Sequence, residues 1–261
     1  MKLLVLGHTG MLGNAIIKFY RGEFCCDEHE VCTTDHRWPS EEFKDVIRNF
    51  DGDLVINCIG AIPQKTQDFT INYELPQFIV ENIDKDIKYI HPDTDCIFDG
   101  KIEAGELYDK IQPSNATEEY GISKSSIMRF HDAPNLKAIR TSIIGIDEHN
   151  KSLLSWLLSQ SENANGYINH YWNGITTLAW ARISHIIFYD WNKADFITQI
   201  GTVPLSKYSL LCLIKDVFHK QIEIRGIEDK CAINRCLRTD MRVPSIKQQL
   251  EELKNIYGDN V

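Results

Sequence analysis

Lys2-Leu3-Leu4-Val5-Leu6-Gly7-His8-Thr9-Gly10-Met11-Leu12-Gly13 runs an apolar stretch straight into three glycines, each pair separated by two residues. The unbroken apolar run reads as a strand buried on both faces, and the glycines read as the turn that opens a helix over 11–20. A turn of this kind leaves backbone N–H groups at the positive end of a helix, where a pyrophosphate can be held without any lysine. Gly7, Thr9, Gly10, Met11, Leu12 and Gly13 are therefore candidate cofactor-binding residues. A glycine pattern by itself is weak, and a tight strand-to-helix turn with no ligand would look the same. The context strengthens it: a strand before, a helix after, and Asp35 at the end of a second strand about 20 residues on, where an acidic side chain meets the ribose hydroxyls of a dinucleotide. Asp35 favours NADH, while His36 and Arg37 just beyond could meet the 2′-phosphate of NADPH. Both cofactors, or dual use, stay open.

Outward from this loop the first half repeats the alternation. Apolar runs at 2–6, 30–34, 54–58, 87–91 and 136–139 are separated by amphipathic stretches at 11–20, 40–50, 71–83 and 119–131. That is the pattern of βαβ units, and the expected fold class is α/β, a doubly wound, Rossmann-like parallel sheet with helices on both faces. Past Gly145 the pattern loosens into helices near 153–161, 178–189 and 207–219, an aromatic-rich segment 167–172 and a strand near 197–201. A capped helix follows Val243-Pro244-Ser245. We expect a dinucleotide-binding lobe over 1–145 and a smaller substrate-binding lobe over 146–261, with some of its segments returning to the sheet.

Composition narrows the function. With 261 residues, 43% hydrophobic and 25% charged, the chain can bury a full core. A net charge of −9 without clustered Lys and Arg argues against a nucleic-acid surface. No apolar run approaches the roughly 20 residues of a membrane span, and the N-terminus has no signal-peptide pattern, so a cytoplasmic protein is expected. The eight cysteines show no C-x-x-C spacing and read as reduced, buried thiols. Histidines and carboxylates lack a metal-ligand spacing, so no metal is expected.

Tyr120-Gly121-Ile122-Ser123-Lys124 sets a phenol and an ammonium one helical turn apart on one face. The ammonium can stabilise a phenolate and draw the Tyr pKa down from about 10, so that the hydroxyl can protonate a carbonyl oxygen during hydride delivery. The same pair is common on ordinary solvated helices. Its weight comes from Thr94, in His91-Pro92-Asp93-Thr94-Asp95-Cys96-Ile97-Phe98-Asp99-Gly100, where the fourth strand ends and a polar loop begins. Ligands of open parallel sheets bind at the C-terminal ends of the strands, so Thr94 would stand beside a substrate carbonyl.

Taken together, segments 4–13, 53–60, 94–100, 120–124 and 140–142 resemble the dTDP-4-dehydrorhamnose reductase family of the extended short-chain dehydrogenases/reductases, in the same order and at similar separations. The resemblance covers about the first 145 residues well and the rest loosely. It implies that Thr94, Tyr120 and Lys124 form the catalytic trio, and that Cys58, Ile59 and Gly60 line the cofactor. Asp95, Trp172, Asn173 and Arg235 would fall on the substrate side. Cys96 stands where the related 4,6-dehydratases carry an acid, which argues against elimination of water, and Phe98-Asp99-Gly100 looks more like the reductases than the epimerases. The implied reaction is reduction of the 4-keto group of a nucleotide-linked 4-dehydro-6-deoxy sugar, in deoxysugar or polysaccharide biosynthesis. Ile143, a longer 113–120 segment and the cluster Tyr167, His170, Tyr171 and Trp172 depart from the pattern toward the substrate. A reductase or epimerase of another nucleotide sugar therefore stays open. So does a non-catalytic subunit that keeps the cofactor site, similar to the regulatory subunit of methionine adenosyltransferase. The residues leave room for a homodimer without deciding it.

Overall fold

The computed structural model describes residues 1–23, 29–147 and 152–258. Its first half runs β1 (Lys2–Leu6), α1 (Met11–Lys18), β2 (Glu30–Thr33), α2 (Glu41–Arg48), β3 (Leu54–Asn57), α3 (Ile71–Asn82), β4 (Lys88–Asp93), α4 (Glu119–Ser125) and β5 (Leu136–Arg140). The second half continues with β6 (Ile143–Ile144), α5 (Leu153–Ser159), β7 (Asn163–Tyr167), β8 (His170–Trp172), β9 (Ile175–Thr176), α6 (Thr177–Tyr189) and β10 (Ile197–Gln199). It closes with β11 (Leu205–Ser206), α7 (Lys207–Val217), β12 (Glu223–Ile227), β13 (Ile233–Asn234) and α8 (Ile246–Tyr257).

Six strands form one parallel sheet in the order β10-β5-β4-β3-β1-β2. The chain steps from β1 outward to β2, then returns to the other side of β1 as β3. This reversal is the switch point at which doubly wound sheets open a ligand crevice. The buried strands explain their own sequence. On β1, Leu3 and Val5 join the core under α1, α6 and α8, whereas Leu4 and Leu6 join the core under α2 and α3. The second half thus supplies much of the helical cover on one face of the sheet, and β10 adds its edge strand beside β5.

Two expectations need correction. The fourth strand does not end at His91 but runs through Pro92 and Asp93, because Asp93 lies in register with Arg140 on β5 and the two side chains pair at 2.7 Å with almost no exposure. The thiols are also not uniformly buried: Cys231 is exposed, while Cys236 is buried. Cys25 and Cys26 lie outside the described residues. The aromatic segment 167–172 becomes two strands, β7 and β8, with Tyr167 stacked on His170 at 4.3 Å between ring centres. At the C-terminus, Ser245 and Gln248 form the capping box that the sequence suggests for α8. No helix of the described residues is long and apolar enough to cross a membrane.

Candidate active site

At the switch point the glycine loop fits a bound dinucleotide. A Cβ on Gly13 would stand 2.2 Å from the Gly7 carbonyl oxygen, so only a glycine lets α1 start this close to the end of β1. Helices α2, α5, α6, α7 and α8 each begin with a Ser or Thr side chain accepting a backbone N–H; α1, like α3 and α4, has no such cap. Its first backbone bond runs from Asn14 N to Gly10 O, which leaves the amides of Met11, Leu12 and Gly13 at a helix end with no side-chain acceptor. Gly7 faces Ile59, and Cys58 N bonds to Leu6 O, so the loop after β3 forms the other wall. Asp35 extends into solvent beyond β2 with His8 Nε2 3.4 Å from its carboxylate, and Arg37 is exposed two residues on. The structure therefore brings the loop of Gly7, Thr9, Gly10, Met11, Leu12 and Gly13 against Cys58 and Ile59, with Gly60 next in the chain and Asp35 reached through His8; Arg37 is exposed beyond it.

Two strands along, at the C-terminal end of β4, the second group assembles. Thr94 caps a short turn over Asp95–Ile97, with its hydroxyl accepting from Cys96 N at 3.2 Å and donating to Asp95 Oδ1 at 3.1 Å. Helix α4 packs its backbone onto this turn: a Cβ on Gly121 would lie 2.1 Å from the Cys96 carbonyl oxygen. That close approach brings the Tyr120 side chain near that of Thr94. Phe69, from the loop before α3, lies against the Tyr120 ring at 5.9 Å.

The electrostatics differ from the expectation in one respect. Burial pushes the Tyr120 phenol up, as do the neighbouring Cys96, Asp95 and Asp93, with only the Thr94 hydroxyl acting the other way. Lys124 does not draw it down here, because its ammonium turns toward β4, donating to Pro92 O at 2.7 Å and standing 3.1 Å from His91 Nε2. Burial brings Lys124 down to about 8, while Asp93 favours its charged form. Asp95 is raised, chiefly by burial and against the pull of Arg235, and burial pushes the Cys96 thiol up to about 12.

The substrate-side candidates divide. Arg235 comes from the far end of the chain yet reaches the Asp95–Ile97 turn, donating to Phe98 O at 2.8 Å and to Glu118 Oε1 at 3.0 Å, with Cys96 Sγ at 3.9 Å. Asp95 stands beside it. Trp172 and Asn173, by contrast, have their polar side-chain atoms bonded within the fold. Trp172 lies in the core with Nε1 on Ser142 Oγ, and Asn173 is buried with its amide bonded to Thr202 O, Leu237 O and Leu237 N. These bonds tie the end of β8 to Ser142 and to the 200–237 region. Sequence reading missed Asn72. Its side chain bonds Ala61 N and Ala61 O and donates to Ser123 Oγ at 3.0 Å, tying the loop after β3 to α4. The only sequence signal was a polar residue in the first turn of an otherwise apolar helix face.

A family model described as the RmlD substrate binding domain matches residues 1–167. The chain belongs to this family. A curated relative, the probable low-salt glycan biosynthesis reductase Agl14 of Haloferax volcanii, is 27% identical over 145 residues, 48% of this chain and 46% of that one. The chain thus spans about half the length of the curated relative it matches. Among solved structures, the dTDP-4-dehydrorhamnose reductase of Bacillus anthracis in complex with NADP superposes with a TM-score of 0.80 at 13% identity, covering 97% of this chain and 98% of that one. The dTDP-glucose 4,6-dehydratase of the same organism in complex with NAD gives 0.77 at 13% identity, covering 100% and 97%. Reductases and dehydratases thus share the fold of this RmlD-family chain, and the chemistry has to be argued from the residues at the site.

Proposed function

We propose that this RmlD-family chain is an NAD(P)H-dependent reductase of the 4-keto group of a nucleotide-linked 4-dehydro-6-deoxy sugar. The observation that carries the reading is the convergence of Thr94, Tyr120 and Lys124 at the C-terminal end of β4, beside an uncapped glycine-rich helix start, with a thiol rather than an acid at position 96. Helix α1 and the loop after β3 would hold the dinucleotide, and a bound nicotinamide supplies the hydride. Tyr120 donates its proton to the ketone oxygen as that hydride arrives, so the carbonyl becomes a secondary alcohol and the phenol becomes phenolate. Thr94 orients the ketone once its hydroxyl proton swings from Asp95 to the substrate oxygen. Lys124, one turn from Tyr120, stabilises the phenolate until a proton returns. The raised phenol pKa of the ligand-free site keeps Tyr120 protonated, which is the form a reduction consumes.

The test is oxidation of NADPH and NADH, followed by absorbance, with freshly generated dTDP-, UDP- and GDP-linked 4-dehydro-6-deoxy sugars, wild type beside Tyr120→Phe. Turnover that disappears in Tyr120→Phe while cofactor affinity persists supports the reading. Cofactor binding without turnover on every sugar would replace it with a non-catalytic role.

A further inference from the structure

We propose that His91 is a positioning residue that anchors Lys124, holding its ammonium through Nε2 while Tyr89 holds the opposite edge of the imidazole.

The geometry is specific. His91 and Tyr89 are two residues apart on β4, so their side chains share one face of the strand. His91 is 1% exposed and Tyr89 is fully buried. Lys124 Nζ lies 3.1 Å from His91 Nε2, and the Tyr89 hydroxyl lies 2.8 Å from His91 Nδ1. An ammonium has only protons to offer, so Nε2 must present its lone pair. The imidazole is then neutral, with its proton on Nδ1 and donated to the Tyr89 oxygen. Burial and the neighbouring Lys124 charge hold His91 well below the usual histidine range, which keeps that lone pair available.

Lys124 therefore has two fixed acceptors, Pro92 O and His91 Nε2, and one N–H left to turn toward the phenolate. If Lys124 gives up a proton, the same contact survives with the other tautomer, Nε2–H donating to the amine and the Tyr89 hydroxyl donating to Nδ1. That neutral contact is weaker than the charge-assisted one, so the anchor favours the ammonium. The titratable and charged groups around the pair come from three strands and one helix. They are Asp93 on β4, Arg140 on β5 with its charge taken up by Asp93, Cys58 just past β3, and Tyr120 on α4. Of these Asp93 acts directly on Lys124, and His91 is the neutral acceptor that no other side chain replaces in the contacts described.

The kinetic part of this inference rests on the reductase reading; the structural part does not. The experiment compares His91→Phe, which keeps a buried ring without an acceptor, with His91→Gln, which keeps an acceptor. In lysine labelled with 13C at Cε, the Lys124 signal, identified by its absence in Lys124→Met, is titrated by NMR. We expect its midpoint to fall by about one pH unit in His91→Phe and to return toward wild type in His91→Gln. In turnover, kcat should fall about 10- to 100-fold in His91→Phe, with KM within about twofold and the alkaline limb of the pH profile moved to lower pH, and His91→Gln should recover most of it. A Lys124 midpoint that is the same in all three proteins overturns the anchor, as does an equal loss of kcat in both variants with an unmoved alkaline limb. Should His91→Phe not fold, Tyr89→Phe carries the same measurements, with a smaller shift in the same direction expected and no shift overturning the proposal. If the wild type turns over no sugar, the reductase reading fails, and the NMR titration still decides the anchor.

Discussion

Replacing Asp93 by Asn tests how the turn capped by Thr94 is held. Asp93 Oδ2 accepts from Arg140 Nε at 2.7 Å, and the two side chains are 0% and 2% exposed. The other carboxylate oxygen accepts from Thr94 N at 2.8 Å, so the pair fixes the start of the turn that carries Thr94. The remaining contacts of the guanidinium are weak: Lys110 O at 3.4 Å, Met128 Sδ at 3.7 Å, and the Phe98 ring at 5.7 Å. Removing the carboxylate charge therefore leaves a buried cation with no anion, at a cost of about 3 to 5 kcal/mol. Against a total stability of roughly 5 to 15 kcal/mol this is a large fraction, and it corresponds to a fall in Tm of roughly 6 to 10 °C for a chain of this size. Arg140→Met should cost a comparable amount by stranding the carboxylate. Asp93→Asn with Arg140→Met removes both charges, and should recover at least about 2 kcal/mol of the summed losses. Equilibrium urea unfolding at pH 7, followed by tryptophan fluorescence and circular dichroism, gives all three values. If Asp93→Asn loses less than about 1 kcal/mol, or the two losses add within about 0.5 kcal/mol, the pair does not hold this end of β4 and the reasoning fails.

Three further outcomes are expected. Gly13→Ala should abolish dinucleotide binding or prevent α1 from seating, since its Cβ would meet the Gly7 carbonyl at 2.2 Å; isothermal titration with NADPH and NADH checks this, and wild-type affinity would contradict the role given to the loop. Asp35→Ala should shift the ratio of kcat/KM toward NADPH, because it removes a carboxylate from the outer end of the crevice and leaves Arg37 nearby; an unchanged ratio would place the adenosine ribose elsewhere. Lys124 is held near 8 against 10.5 in an unstructured chain, so its unfolded form binds more protons between those values and its burial penalty is full below pH 8 and fades as pH rises toward 10.5. The stability of wild type relative to Lys124→Met should therefore rise by roughly 2 to 3 kcal/mol from pH 7 to pH 10 in urea unfolding, and a flat difference would show that the lysine is not desolvated.

Local pattern determined a good deal of this protein. The apolar runs and the glycines at 7, 10 and 13 announce the parallel sheet and the crevice at its switch point, because strand burial, helix periodicity and backbone freedom are properties of neighbouring residues. The i to i+4 spacing of Tyr120 and Lys124 is legible for the same reason. What lay outside that reach depends on residues far apart in the chain meeting. Asp93 extends β4 only because Arg140 lies beside it, and Arg235 reaches Cys96 and Glu118 only after the second half has wrapped onto the sheet. Trp172 and Asn173 looked like binding residues, yet Ser142 takes up the Trp172 indole N–H and the 200–237 region takes up the Asn173 amide. Asn72 and His91 carry no signal that separates them from ordinary polar residues until α3, α4 and β4 are brought together. The sequence by itself determined which groups of the right chemistry are present and on which elements; the tertiary structure alone decided which of them share a hydrogen bond, because that depends on distances that open only when sheet and helices pack.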